Sequence, residues 1–313
     1  MANNIEEGGT APSRGAFGAL NDQPYVLLTL TMVFWSGNIV LARAVSEHIP
    51  PMALAQMRWT LAFLLLIPFA WRKVAEDWPT IRRHWKILTL LGILGMTIYN
   101  TLVYVGVQST TAINATILSS LFPVVIALLG FLIYRDRLTV GQGVGLIVSS
   151  VGALVVISRG SLEVLAGFHF TPGDLWILGA QLAYAGYTVI LRARPSIHPL
   201  SFLITTIFLG QLALWPFTIG EAALGAKVPW DLTTLVSVLY VSVFAAILAF
   251  LCFNRGVALI GSTRAGIFFH LIPVFGSLAA VLFLGEVIGL YHAIGWVLIL
   301  TGIALAQRTR PSV

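Results

Sequence analysis

Few residues in this chain of 313 could do chemistry, and several of them lie in apolar surroundings. His270 stands inside the apolar run Ala265–Leu284, three residues before Pro273. Its ring titrates near neutrality when unperturbed, at a pKa of about 6.5, which would suit a proton-linked step. An ionisable group at such a position is a functional candidate by default. The plain alternative is a neutral histidine hydrogen-bonded to a neighbouring helix. Arg58 lies some six residues into a second apolar run, roughly 9 Å deep at 1.5 Å per residue. Its planar guanidinium can grip a carboxylate with two parallel bonds. It can equally tie up backbone carbonyls or snorkel outward.

Two prolines interrupt apolar runs. Pro123 and Pro273 each remove a backbone donor and free the carbonyl four residues earlier, at Ser119 and Phe269. In lipid an unpaired carbonyl is costly, so such breaks are tolerated mainly against protein or a wet cavity. Both prolines are therefore candidate gating points, with a static packing kink as the other reading.

An aromatic set completes the candidates. Trp35 and Asn38 are spaced i,i+3 and share one helix face, as do Tyr184 and Tyr187. Near mid-membrane their polar atoms need partners, either within the protein or on a substrate. Tyr99 and His270 are further candidates for the same wall. Apolar walls with a few polar groups would favour aromatic side chains without fixing one ligand.

The elements that position these residues follow from composition. Charged residues are 10% and hydrophobic residues 58% of the chain, with mean hydropathy +0.92. Soluble domains carry roughly 25% charge, so this is a polytopic membrane protein. Windows of about 20 apolar residues fall near Tyr25–Val45, Met52–Trp71, Ile87–Val107, Ala112–Tyr134, Val140–Ser158, Asp174–Leu191, Leu200–Gly220, Leu232–Ala258, Ala265–Leu284 and Ile288–Ala306. The expected fold is thus all-α, with ten transmembrane helices. With the N-terminus inside, 14 of the 18 Lys and Arg residues fall in cytoplasmic segments, as the positive-inside rule requires. Both termini are then cytoplasmic, and the net charge of +6 is a topology signal, with no nucleic-acid partner implied. A signal peptide is excluded, because the apolar run from Tyr25 is too long and its leader is acidic. The lone Cys252 permits no internal disulfide and no cysteine metal site.

The chain also repeats itself. Pro123 and Pro273, Asp136 and Glu286, Gly145 and Gly295, and Gly152 and Gly302 are each 150 positions apart. WSGNIVLAR, Trp35 to Arg43, is echoed by YAGYTVILR, Tyr184 to Arg192, at an offset of 149. An internal repeat of this kind governs the whole fold. It divides the chain into a disordered tail over 1–24, a first five-helix unit over 25–158, a connecting loop over 159–173, a second unit over 174–306 and a tail over 307–313. Five helices per unit is odd, so the second copy enters the membrane in the opposite sense. That inverted repeat is an arrangement used by alternating-access transporters.

Smaller features have local readings. Asp136 and Glu286 sit at helix–helix turns, where an acid caps the next helix. Arg43 and Glu47 are spaced for an i,i+4 pair. Gly141, Gly145 and Ser149 form a ridge of small residues for close helix contact. Gly141-Gln142-Gly143-Val144-Gly145 is no nucleotide loop, since it opens an apolar helix with no strand before it.

A mid-helix proline, an acid at the turn and a spaced-glycine helix, given twice, resemble the drug/metabolite transporter superfamily. More narrowly the chain resembles the ten-helix group with two EamA-type units, from Tyr25 to Ala306. The second copy, with Pro273, Gly285-Glu286, Gly295 and Gly302, is the closer match, whereas the first has Arg135-Asp136 where that group has Gly-Glu. Within it the chain looks most like bacterial exporters of aromatic amino acids and methyl viologen. The resemblance implies a multi-pass protein of the bacterial inner membrane that exports small metabolites from a central cavity, with the fifth and tenth helices peripheral. It implies no cofactor and no enzymatic activity. Its partners are a small-molecule substrate, the bilayer and, as a candidate coupling ion, the proton. Quaternary cations, purines and sugars stay open as other substrates, and a membrane-embedded enzyme as another class. No Asp or Glu lies centrally in a helix, which disfavours the glutamate-based cation antiport of small multidrug pumps. Uniport and proton antiport would look alike at this level.

Overall fold

A computed structural model of the protein describes residues 21–284 and 287–308. The leader over 1–20, Glu286 and the last five residues therefore lie outside the described residues, with the expectations attached to them.

Among the described residues every regular element is helical. In chain order they are α1 (Pro24–Ala44), α2 (Pro51–Arg83), α3 (Trp85–Val107), α4 (Ala112–Ser120), α5 (Phe122–Tyr134), α6 (Val140–Ile157) and the short α7 (Leu162–Ala166). The second half follows with α8 (Pro172–Ala193), α9 (Pro199–Ala223), α10 (Leu232–Ile260), α11 (Ser262–Ile267), α12 (Leu271–Leu284) and α13 (Leu290–Arg308). Proline opens α1, α2, α8 and α9, where its missing N–H costs nothing. Eight of these helices are long and apolar enough to cross a membrane, and the pair α4–α5, bent by 43°, makes nine. The remaining segment, Ser262 to Leu284, is broken into α11, a 3-10 turn at Phe268–His270 and α12, the last only 14 residues long.

The breaks recur in both halves. Helix α4 stops before Leu121 and α11 stops before Phe268, in each case a few residues ahead of the proline, Pro123 or Pro273. Helix α3 contains a π-helical stretch at Ile93–Ile98, and α10 contains one at Val241–Leu248. Packing is reciprocal too. Helix α1 packs on α10 and α12 of the second half, while α8 packs on α3 and α5 of the first. Helix α2 pairs with α9, and α6 with α13.

The α6–α13 seam shows how such contacts hold in lipid, where close approach replaces the hydrophobic drive. A Cβ added to Gly302 would sit 2.5 Å from the Ser149 nitrogen, and one added to Gly152 only 2.7 Å from the Gly295 carbonyl. Gly145 lies against Gly302 and Gly152 against Gly295. Shifting either contact by 150 positions gives the other, as in a self-complementary twofold interface. The outward faces of the two helices, with Ile147 and Val151 on α6 and Val297 and Leu300 on α13, are exposed as lipid-facing surfaces are.

Three local expectations are corrected. The second apolar window ends at Trp71, but α2 runs on to Arg83 and spans 33 residues. At 1.5 Å per residue that is about 50 Å, more than a bilayer core accommodates. The extension carries exposed Trp71 and Trp78 among Arg72, Lys73, Arg82 and Arg83, a composition suited to the headgroup region. Asp136 does not cap α6. Thr139 does, in a capping box with Gln142, because it lies immediately before Val140. Asp136 instead accepts from Arg192 at 3.1 Å, tying the α5–α6 turn to the end of α8. Nor do Arg43 and Glu47 pair, because α1 ends at Ala44 and helical spacing ends with it.

Candidate functional site

A cavity of about 570 Å³ lies between the two halves, lined mainly from α1, α3, α4, α8 and α12, with residues of α2, α5, α6, α10 and α13 completing the wall. At one end its wall includes Arg43, Val107, Arg159 and Tyr291, all at or beside helix ends other than the ones that carry Arg135, Arg192 and Arg255. At the other end it meets a cluster of rings. Trp35 packs edge-on to Tyr184 with centroids 5.7 Å apart and stands 5.4 Å from Phe269, which meets Phe122 at 4.3 Å. Phe250 joins the cluster 5.7 Å from Trp35. Centroid separations of this kind are the favourable range for aromatic pairs.

Trp35 is fixed by more than packing. Its indole N–H donates to the Ala245 carbonyl at 3.1 Å. Arg58 donates to the same carbonyl at 2.9 Å, with its guanidinium over the Trp59 ring at 4.5 Å. Ala245 belongs to the π-helical stretch of α10. Such a bulge shifts the carbonyls out of simple i,i+4 register, which suits them to accept from neighbouring side chains. Arg58 thus ties up a backbone carbonyl and lines the cavity at once.

His270 is 1% exposed. Its Nε2 lies 3.0 Å from the Ser120 carbonyl and its Nδ1 2.8 Å from the Ser149 hydroxyl. A carbonyl only accepts, so Nε2 carries a hydrogen in either protonation state. In the neutral ring Nδ1 accepts from Ser149. In the cation Nδ1 donates, and the Ser149 hydrogen turns to the Gly145 carbonyl at 2.8 Å. Both states find partners without moving a heavy atom.

Seven of the nine sequence candidates meet at this cavity: Trp35, Asn38, Arg58, Tyr99, Tyr184, His270 and Pro273 all contribute to its lining. Two do not. Tyr187 is fully buried, donates to Asn254 at 2.8 Å and rests against Gly95, where a Cβ would come within 2.8 Å of its ring. Pro123 is buried beside the break, away from the wall. The sequence reading missed Asn100, Ser119, Gln181, Phe250 and Phe269, as well as Arg43 and Arg159. A signal existed for some of them. The 150-position offset carries Asn100 onto Phe250 and Ser119 onto Phe269, so a wall residue in one half flags one in the other.

Comparison with known proteins places this geometry in context. The model of the EamA-like transporter family matches the chain twice, over residues 23–158 and 171–307. The uncharacterized transporter YyaM of Bacillus subtilis is 25% identical over 292 residues, covering 90% of this chain and 93% of its own length. An uncharacterized transporter of Archaeoglobus fulgidus is also 25% identical, over 287 residues, covering 91% of this chain and 98% of its own. A crystal structure at 17% identity superposes with a TM-score of 0.75 over 91% of this chain and 96% of that one, which speaks for the fold alone.

Proposed function

The chain belongs to the EamA-like transporter family, within the drug/metabolite transporter superfamily, and from that premise we propose that it exports small aromatic, amphipathic metabolites such as aromatic amino acids. It is a multi-pass membrane protein, related to transporters of small molecules. The observation that carries the finer reading is the cavity between the halves, closed at one end by Trp35, Tyr184, Phe250 and Phe269. A planar substrate can stack on such walls, and aromatic contacts contribute about 0.5–1.5 kcal/mol each beyond burial.

Alternating access follows from the repeat. Ten spans with both termini cytoplasmic would make the two five-helix units inverted copies, and exchanging their conformations would turn the cavity from one side to the other. The reciprocal packing of α1 and α8, the two matched family regions and the crossed glycine contacts support this reading. With the basic turns inside, the described cavity faces outward and the ring cluster is the cytoplasmic closure. The placement of His270 is compatible with proton coupling and with facilitated export alike.

Counterflow in proteoliposomes tests the substrate class. Labelled Phe, Tyr or Trp should exchange faster than Thr, and Trp35→Ala should weaken aromatic exchange more than threonine exchange at matched protein levels. Equal losses for both would return Trp35 to a packing role, and no counterflow of any of these would remove the proposed substrate class.

A further inference from the structure

The charges and hydrogen-bond donors of the cavity narrow the substrate further. Resting on the transport reading above, we infer that the preferred cargo is a net anion, an aromatic ring bearing a carboxylate and no cationic nitrogen, and that organic cations are rejected. Three arginines line the cavity, Arg58 within it and Arg43 and Arg159 toward its end, while none of the described lining residues is Asp or Glu. With low-dielectric walls, one sign of charge raises the local concentration of the opposite one and repels its own kind.

Two orphaned groups point the same way. The Tyr184 hydroxyl is buried without a hydrogen-bond partner, and so is the Trp59 indole N–H. Tyr184 is 4% exposed and Trp59 1%, and both contribute to the cavity wall. An unpaired buried donor costs about 1–3 kcal/mol, so a small turn of either ring that brings its donor onto a bound acceptor would recover that cost. Indole N–H and guanidinium can only donate, and a phenol donates readily. An ionised carboxylate only accepts, so it matches this set, whereas an ammonium does not. Neutral acceptors exist on the wall. Gln181 spends its amide N–H on Ser119 at 2.9 Å and Asn100 its own on the Met96 carbonyl at 2.6 Å, which leaves each with a carbonyl oxygen. A zwitterion is thereby tolerated but gains no ionic partner for its ammonium.

The test compares three probes that share one ring system and differ in charge: indole-3-acetate, tryptophan and tryptamine. Each is measured by counterflow in proteoliposomes holding the full-length protein. The expected order is indole-3-acetate, then tryptophan, then tryptamine, with about tenfold between the anion and the cation, a margin within reach of one charge-assisted contact. Arg58→Gln should compress that ratio, and Arg58→Lys should retain part of it. Tyr184→Phe deletes only the orphaned hydroxyl, so it should leave melting temperature unchanged or raised. Its KM for indole-3-acetate should still rise at least about tenfold, the scale of one hydrogen bond to a charged group. Tryptamine transported as well as indole-3-acetate by the wild-type protein would overturn the inference and leave aromatic transport intact. An unchanged KM in Tyr184→Phe would remove the oxyanion role of that hydroxyl. If none of the three probes moves, the transport reading falls and this inference falls with it.

Discussion

His270 Nε2 donates to the carbonyl of Ser120 at 3.0 Å, and the two residues are repeat counterparts 150 positions apart. A residue touches its own symmetry mate only near a symmetry axis. In the proposed inverted arrangement, the contact would put the pseudo-twofold of the two halves through the breaks at Leu121 and Phe268–His270. It also explains how the α4 break is tolerated, since at a broken turn a carbonyl needs an outside donor and the opposite half supplies one. The sequence carries the asymmetry that makes this work: one half has the imidazole, the other the serine carbonyl.

From that geometry, His270→Ala should cost about 1–3 kcal/mol, because it leaves the Ser120 carbonyl buried and unpaired. His270→Gln retains an N–H for that carbonyl and should recover most of the loss, as read from melting temperatures in detergent. If proton coupling runs through the ring, the Gln variant also flattens the pH dependence of transport. An unaltered pH profile would leave His270 as a structural link alone.

The glycine seam gives a prediction with a built-in contrast. Gly302→Ala and Gly152→Ala each drive a methyl into backbone atoms of the facing helix and should cost about 1–3 kcal/mol. At Gly276 on the cavity wall a Cβ meets nothing within 4 Å. Gly276→Ala should therefore be neutral or stabilising by about 0.5–1 kcal/mol, since alanine loses less entropy in a helix. Thermal melts of the three variants side by side check both halves of the expectation.

Topology is checked by accessibility. In a Cys252→Ala background, a cysteine at Ser161 should react with an impermeant thiol reagent added outside intact cells, and one at Ser196 should not. Ser161 caps the short α7 between the two halves, whereas Ser196 follows the Arg192–Arg194 turn. Labelling of Ser196 from outside would overturn the inverted arrangement.

A pH effect is expected on the loop side of α10. The Thr234 N–H, foremost, and the ring of His48 at 2.7 Å hold the Asp231 carboxyl below the ordinary carboxylate range. A folded-state pKa below the unfolded one stabilises the protein above the unfolded value and ceases to do so as pH falls through the folded one. The contribution should fade below about pH 4. Asp231→Asn should therefore lose less melting temperature than the wild type between pH 5 and pH 3, and parallel losses would dismiss the linkage.

The sequence alone determined what depends on local composition and period. Apolar runs long enough to cross a bilayer, the bias of Lys and Arg among the turns, and the two matching series ending in Gly152 and Gly302 are properties of short stretches. So were the aromatic positions Trp35 and Tyr184, because i,i+3 spacing says which residues share a face. What it could not say is which neighbour that face meets. Asn38 and Tyr187 occupy matching places in the repeat, yet Asn38 lines the cavity while Tyr187 turns to Asn254. Asp136 is a plausible helix cap until Arg192, 56 positions away, is seen beside it. The arginine-lined, acid-free wall was likewise invisible, since Arg43, Arg58 and Arg159 come from three separate segments. Helical periodicity fixes directions within one helix, and contacts between helices depend on side-chain volumes summed over the whole bundle. Only the tertiary structure performs that sum.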